Sequence, residues 1–92
     1  MLSANIDNIT RKTVYRRDGY TCVACGSTRY LQVHHMLTRS LGGKNDLPNL
    51  VTLCAHCHAL AHGDRFPDDP PYMDELWVIE AAADYLADMY PP

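Results

Sequence analysis

Nine cysteine and histidine side chains in this sequence can hold metal, and their spacing sorts them into two groups. Cys22-x-x-Cys25 and Cys54-x-x-Cys57 are matching pairs separated by 28 intervening residues. A Cys-x-x-Cys turn lets two thiolates face one ion, and Gly26 directly after the first pair suits the tight turn. Two such pairs complete a zinc shell of four thiolates with no position open to water, which is the chemistry of a structural site. The five histidines form the second group. His58 and His62 are four apart, the spacing that puts two imidazoles on one helical face. His34 and His35 are neighbours on a stretch that reads as a strand, where successive side chains point to opposite faces. For both to serve one site, the strand must end or bulge there. His56, inside the second cysteine pair, reads as a surface residue.

The elements that must position these groups follow from pattern. Residues 1–7 read as an irregular start, and residues 8–18 as a short helix. Asn8 or Thr10 is its expected cap, Ile9, Val14 and Tyr15 its apolar side, and Gly19 its left-handed stop. Residues 30–36 alternate as a strand, with Leu31 and Val33 on one face. Residues 38–49 hold Gly42-Gly43, Asn45-Asp46 and Pro48 and read as a loop. Residues 50–53 suit a second strand and residues 55–62 a helix ended by Gly63. The prolines of 66–71 mark a linker, and 72–92 reads as an acidic helix. Its expected apolar stripe is Leu76, Ile79, Ala83, Leu86 and Tyr90, with Tyr72 and Trp77 as core anchors. The whole of 1–92 is expected to be one domain, with 8–65 as its working core.

Charge and length bound the function. A net charge of −3 over 92 residues argues, at face value, against a nucleic-acid partner. The charge is unevenly placed. Residues 1–65 carry all eight basic residues and four acids, a balance of +4, whereas 66–92 carry seven acids and no base. Such asymmetry suits a basic nucleic-acid-binding body with an acidic appendage. No apolar run is long enough to cross a membrane. The start, MLSANIDNITRKTV, has no apolar stretch of signal-peptide length. A reducing cytoplasm is therefore expected, where paired cysteines read as metal ligands before disulfides. A chain of this size buries only about 60% of its unfolded surface, so a bound zinc would supply stability that its small core lacks.

The residues Val33-His34-His35-Met36, Gly42-Gly43, Asn49-Leu50, Leu53-Cys54-x-x-Cys57-His58 and His62 together resemble the HNH endonuclease family, in the zinc-ribbon branch found in bacteria and their phages. The resemblance runs over about residues 11–63, beginning at Arg16-Arg17-Asp18-Gly19. It implies an α+β fold: a ββα-metal finger stapled by a four-cysteine zinc site, flanked by an N-terminal and a C-terminal helix. It also implies one catalytic divalent cation, drawn from Mg2+, Mn2+, Ni2+, Co2+ or Zn2+. By position, His35 takes the place of the general base. His34, His58 and His62 take the places of ligands to the catalytic cation. Asn49 takes the place of the middle asparagine, which ties the loop and keeps the base oriented. Arg39 sits where relatives carry a basic residue facing phosphate. One departure is Met36-Leu37-Thr38, where many members carry isoleucine and proline.

The implied reaction is hydrolysis of DNA phosphodiester bonds, leaving 5′-phosphate and 3′-hydroxyl ends. An imidazole, largely neutral near pH 7, can take the proton from water, and a metal ion can neutralise charge on the phosphate. Arg11, Lys12, Arg16, Arg17, Arg39 and Lys44 are the candidate phosphate contacts, and such contacts position DNA without reading its sequence. The expected partner is DNA, bound by a monomer or weak homodimer in a bacterial cell or phage-infected host. The acidic helix is a candidate surface for a protein partner. The competing reading is a non-catalytic zinc-binding module that binds DNA or protein, as an accessory of a phage packaging complex would.

Overall fold

The computed structural model describes residues 6–92, so the irregular start expected over 1–7 lies outside the described residues except for Ile6 and Asp7. Helix α1 spans Asn8–Arg17. Its cap is Asp7, not Asn8 or Thr10: the carboxylate accepts the Thr10 amide at 2.7 Å, and negative charge there suits the helix dipole. Val14 is the residue that α1 buries, while Ile9 is 79% exposed and contributes nothing to that face. The helix ends through two successive left-handed residues, Gly19 (φ 69°) and Tyr20 (φ 55°).

Strands β1 (Leu31–His35) and β2 (Leu50–Cys54) form one antiparallel pair, with Leu31 opposite Cys54 and His35 opposite Leu50. The connecting loop carries two short 3-10 turns, Arg39–Leu41 and Leu47–Asn49. Gly43 is required within it, because a Cβ there would lie 1.7 Å from the Leu37 carbonyl oxygen. Helix α2 (Ala55–Ala61) follows β2 without a break and stops at Gly63 (φ 96°). The order of strand, long loop, strand and helix is the ββα arrangement expected from the sequence, inside an α+β fold.

Every residue of β2 is buried, which explains why its apolar residues do not alternate: Leu50, Val51, Leu53 and Cys54 are all inside, and the polar Thr52 is buried with them. Val51 and Leu53 pack with Cys22, Cys54, Cys57 and Leu60 in the main core, while Leu50 packs with Ile6 and Val14 beneath α1. The free edge of β2 is covered. The Thr52 amide donates to Asp18 Oδ2 at 2.9 Å, and the Val23 amide donates to the Thr52 carbonyl at 3.1 Å. Asp18 also accepts from Tyr85 Oη at 2.7 Å and forms a bidentate pair with Arg17. Burial disfavours charge on Asp18, but hydrogen bonds from Arg17, Tyr85 and the Thr52 amide outweigh it and hold the carboxyl below its usual range.

Helix α3 spans Glu75–Met89, capped by Asp74, whose side chain accepts the Trp77 amide. It therefore starts three residues later than expected. It buries Val78, Ala82 and Leu86 in the main core beside α2. The expected stripe is thus rotated: Leu76 is 61% exposed, and Ala83 faces solvent. The physical reason is a strict i, i+4, i+8 row of small and branched residues, which lets α3 lie close to α2. Ile79, Tyr85, Tyr90 and Trp77 close its flanks. Of the two expected anchors, Trp77 packs against the core, whereas Tyr72 is 62% exposed and forms a T-shaped ring pair with Trp77 at 5.9 Å. Among the described residues, no helix is long and apolar enough to cross a membrane.

Candidate metal centres and their cleft

The two cysteine pairs meet. Cys22, Cys25, Cys54 and Cys57 each offer a sulfur, and all four atoms lie within 4.8 Å of one another. The first pair is set by a turn in which the Gly26 amide donates to the Cys22 carbonyl at 2.9 Å, with Gly26 in the left-handed region at φ 83°. The second pair spans the junction of β2 and α2. Cys54 is the cap residue of α2, and its sulfur accepts the Cys57 amide at 3.4 Å. Three of the four are buried and Cys25 is exposed.

A hydrogen bond from Cys57, aided by backbone amides, pulls the Cys22 thiol down to about 4. The same bond and burial push Cys57 up, and burial and the Cys22 thiolate push Cys25 up. One thiolate is therefore favoured, and its charge opposes ionisation of the neighbouring thiols. The donor set fits zinc or another thiophilic ion, with every position supplied by the chain.

The second cluster is His34, His58 and His62, whose ring nitrogens also lie within 4.8 Å of one another. Here the three residues grade from buried through half-buried to exposed. His34 projects from β1 and is 4% exposed. Its ring meets those of His58 and His62 edge-on, at centroid distances of 5.2 and 5.3 Å. His58 and His62 stand one turn apart on α2 and its C-cap, with their Nε2 atoms 3.1 Å apart. His58 Nδ1 donates to Gln32 Oε1, which leaves Nε2 as the lone pair facing the cluster. Burial and the neighbouring imidazoles drive His34 down to about 4, and burial, then His62, lowers His58. Neutral, converging imidazoles are the form that binds a divalent cation, so this donor set fits one as well.

These rings line a cleft of about 480 Å³, together with His35, Arg11, Tyr15, Gln32, Thr38 and Arg39. His35 is the last residue of β1, and no bulge is needed: the strand ends there and both neighbours line the same cleft. His35 Nε2 lies 2.7 Å from Asn45 Oδ1. Asn49 directs its side-chain hydrogen bonds to backbone groups and not to His34 or His35. Its side chain takes the Leu37 amide at 2.7 Å and donates to the carbonyls of Leu37 and Lys44 at 3.0 and 2.9 Å. Its own carbonyl accepts the Met36 amide at 2.9 Å. Asn49 thus ties both ends of the loop to the first residues after His35.

The expected phosphate contacts divide. Arg11 and Arg39 line the cleft, while Lys12, Arg16 and Lys44 are outside its lining. Arg17 is a correction. Its guanidinium is bonded to Asp18 and donates to the carbonyls of Leu47 and Leu50 at 2.8 and 2.6 Å. It also lies over the Tyr85 and Tyr90 rings. With a fifth bond from Nη1 to Tyr90 Oη at 3.4 Å, its donors are used up, so Arg17 is a structural pin between α1, the loop and α3. His56, expected at the surface, is bonded to Asp69 at 2.6 Å and packs on Phe66, holding the linker to α2. Two polar side chains of the site were not anticipated. Asn45 reads in sequence as one more turn residue, and Gln32 reads as the solvent face of a strand. The one available signal for Gln32 was its period-two position beside His34.

Comparison with known proteins adds two findings. A family model described as HNH endonuclease matches residues 22–64, which hold both clusters and the loop between the strands. A curated protein named Anaredoxin, from Nostoc sp., is 34% identical over 53 residues, covering 56% of this chain and 70% of the relative.

Proposed function

Because the chain belongs to the HNH endonuclease family, we propose that it is a metal-dependent endonuclease that hydrolyses DNA phosphodiester bonds. The observation that carries this reading is the convergence of His34, His58 and His62 within 4.8 Å, in one cleft with His35. In the proposal the four cysteines hold a structural zinc, and the three histidines hold the catalytic cation.

Each step assigns a task to the chain's own groups. Arg11 and Arg39, lining the cleft, bind the DNA phosphates and set the backbone across it. His35 accepts the proton of the attacking water through the ring nitrogen that Asn45 leaves free. Asn49 holds the loop so that the ring stays at the strand end. The water oxygen bonds to phosphorus as the P–O3′ bond breaks, and the departing 3′ oxygen takes a proton from solvent, leaving 5′-phosphate and 3′-hydroxyl ends. A divalent cation, when bound, would supply neutralisation of the phosphate's negative charge. His34, His58 and His62 would hold it, and the bond from His58 Nδ1 to Gln32 would orient that ring.

Plasmid nicking across a panel of divalent metals, wild type against His35→Ala, tests this reading. The expected result is cleavage by wild type and a loss of roughly 10²–10⁴-fold in the variant, with unchanged folding. Equal nicking by both proteins under matched metal would refute the assignment.

A further inference from the structure

The ring of His35 has two nitrogens, and catalysis as proposed needs one of them to be a free lone pair turned to the cleft. An imidazole on a strand end can rotate and can carry its proton on either nitrogen, so something must fix both choices. Asn49 does not, since its side chain bonds only backbone groups of the loop. The ring's hydrogen bond is to Asn45, 2.7 Å from Nε2 to Oδ1. Arg39 Nη1 donates to the same oxygen at 3.3 Å. A guanidinium only donates, so the atom it meets is the amide oxygen and not its nitrogen. The partner nitrogen of His35 must then carry a hydrogen.

From this geometry we infer that Asn45 is a positioning residue: it holds His35 as the Nε2–H tautomer with Nδ1 as the proton acceptor, and Arg39 holds Asn45. The inference rests on the nuclease reading for its catalytic consequence, but not for the tautomer itself. Among the described residues, no side-chain hydrogen bond occupies Nδ1. An asparagine is well suited to this task. Its oxygen is a neutral acceptor, so it selects a tautomer without placing a full negative charge beside a ring that must later accept a proton. The position falls in Gly43-Lys44-Asn45-Asp46, the stretch that Gly43 and Asn49 pin against Leu37. The loop is therefore anchored on both sides of the residue that orients the base.

The test uses the full chain, with imidazole 15N spectra as the first readout and nicking kinetics as the second. Spectra of the folded protein, without added divalent cation, are expected to show His35 as a nearly pure Nε2–H tautomer in wild type. In Asn45→Ala the shifts should move toward the mixture of a free imidazole. In Asn45→Asp, which keeps an oxygen acceptor at the same reach, the Nε2–H form should persist. In nicking assays Asn45→Ala should lower kcat by roughly 10–100-fold, the usual effect of losing an orienting partner, with little change in KM. Asn45→Asp should recover most of that loss. A wild-type Nδ1–H tautomer, or spectra and kcat unchanged in Asn45→Ala, would overturn the inference. Failure of wild type to nick under any metal would instead overturn the nuclease reading, while the spectra would still decide the tautomer.

Discussion

The cysteine corner and the histidine cleft draw on the same seven-residue helix, yet they are built in opposite ways. Cys54 caps α2 and Cys57 lies in its first turn, facing the core. His58, one residue further and about 100° around the axis, faces the cleft with His62. The corner has four donors, three of them buried. The cleft has three, which grade outward to solvent. A closed donor set can only hold an ion, whereas an open one leaves room for substrate and water. The difference teaches how a small chain can keep a closed, core-facing donor set apart from an open one. On the proposed reading, an ion in the corner would fix the start of α2, and the start of α2 sets where two of the cleft imidazoles stand.

The largest effect that could break this comparison is loss of the corner. Cys57→Ser, or exhaustive chelation, is expected to abolish the cooperative fold. Structural zinc contributes roughly 10–16 kcal/mol in small domains, about the whole stability of a domain. Far-ultraviolet circular dichroism should then show an unfolded chain, while His62→Ala should melt as wild type does. A cooperative melt in Cys57→Ser would show that the corner is dispensable.

Next is the support that α1 gives to both regions through Asp18. Asp18→Ala leaves Arg17 buried without its partner and removes the acceptor for the Thr52 amide. Breaking such a pair costs about 3–5 kcal/mol, to be read from urea midpoints. The pH dependence follows in sign. The Asp18 carboxyl is held below its unfolded value, so its contribution is fully present above about pH 3.9 and is lost as pH falls through the lower, folded pKa. Wild type should therefore lose stability in that acid range, and Asp18→Ala should lose less. Identical acid limbs for the two proteins would contradict this account of the network.

A smaller effect separates the two sides of α3. Val78→Ala removes part of a fully buried side chain and should cost about 1 kcal/mol or more. Leu76→Glu, on the exposed side, should stay within about 0.5 kcal/mol. Comparable losses from both would restore the stripe read from the sequence. Such a result would also change how α3 braces α2, and so how the cleft is held.

What the sequence made legible follows the same division. Local spacing was enough for the corner: two Cys-x-x-Cys turns can hardly be placed otherwise, and the strand, loop, strand and helix between and after them were readable from turn residues and apolar runs. The helical pair His58 and His62 was likewise a matter of period. Contacts across the fold were not legible. Arg17 looked like one basic residue among several, because its partners Leu47, Leu50 and Tyr90 are distant in sequence. Asn45 looked like turn chemistry, since nothing local reveals that the loop folds back on His35. The stripe of α3 was misplaced by rotation, because hydrophobicity alone favours Leu76 over the smaller residues that close packing selects.

The most direct test of the two-site account is a graded chelation read in three channels on one sample: metal content per chain, circular dichroism and plasmid nicking. The account predicts that a mild chelator abolishes nicking while one zinc per chain and the full helical signal remain, and that added divalent cation restores cutting. Loss of nicking and fold together at every chelator concentration, or cutting that persists with only the cysteine-bound zinc left, would contradict it.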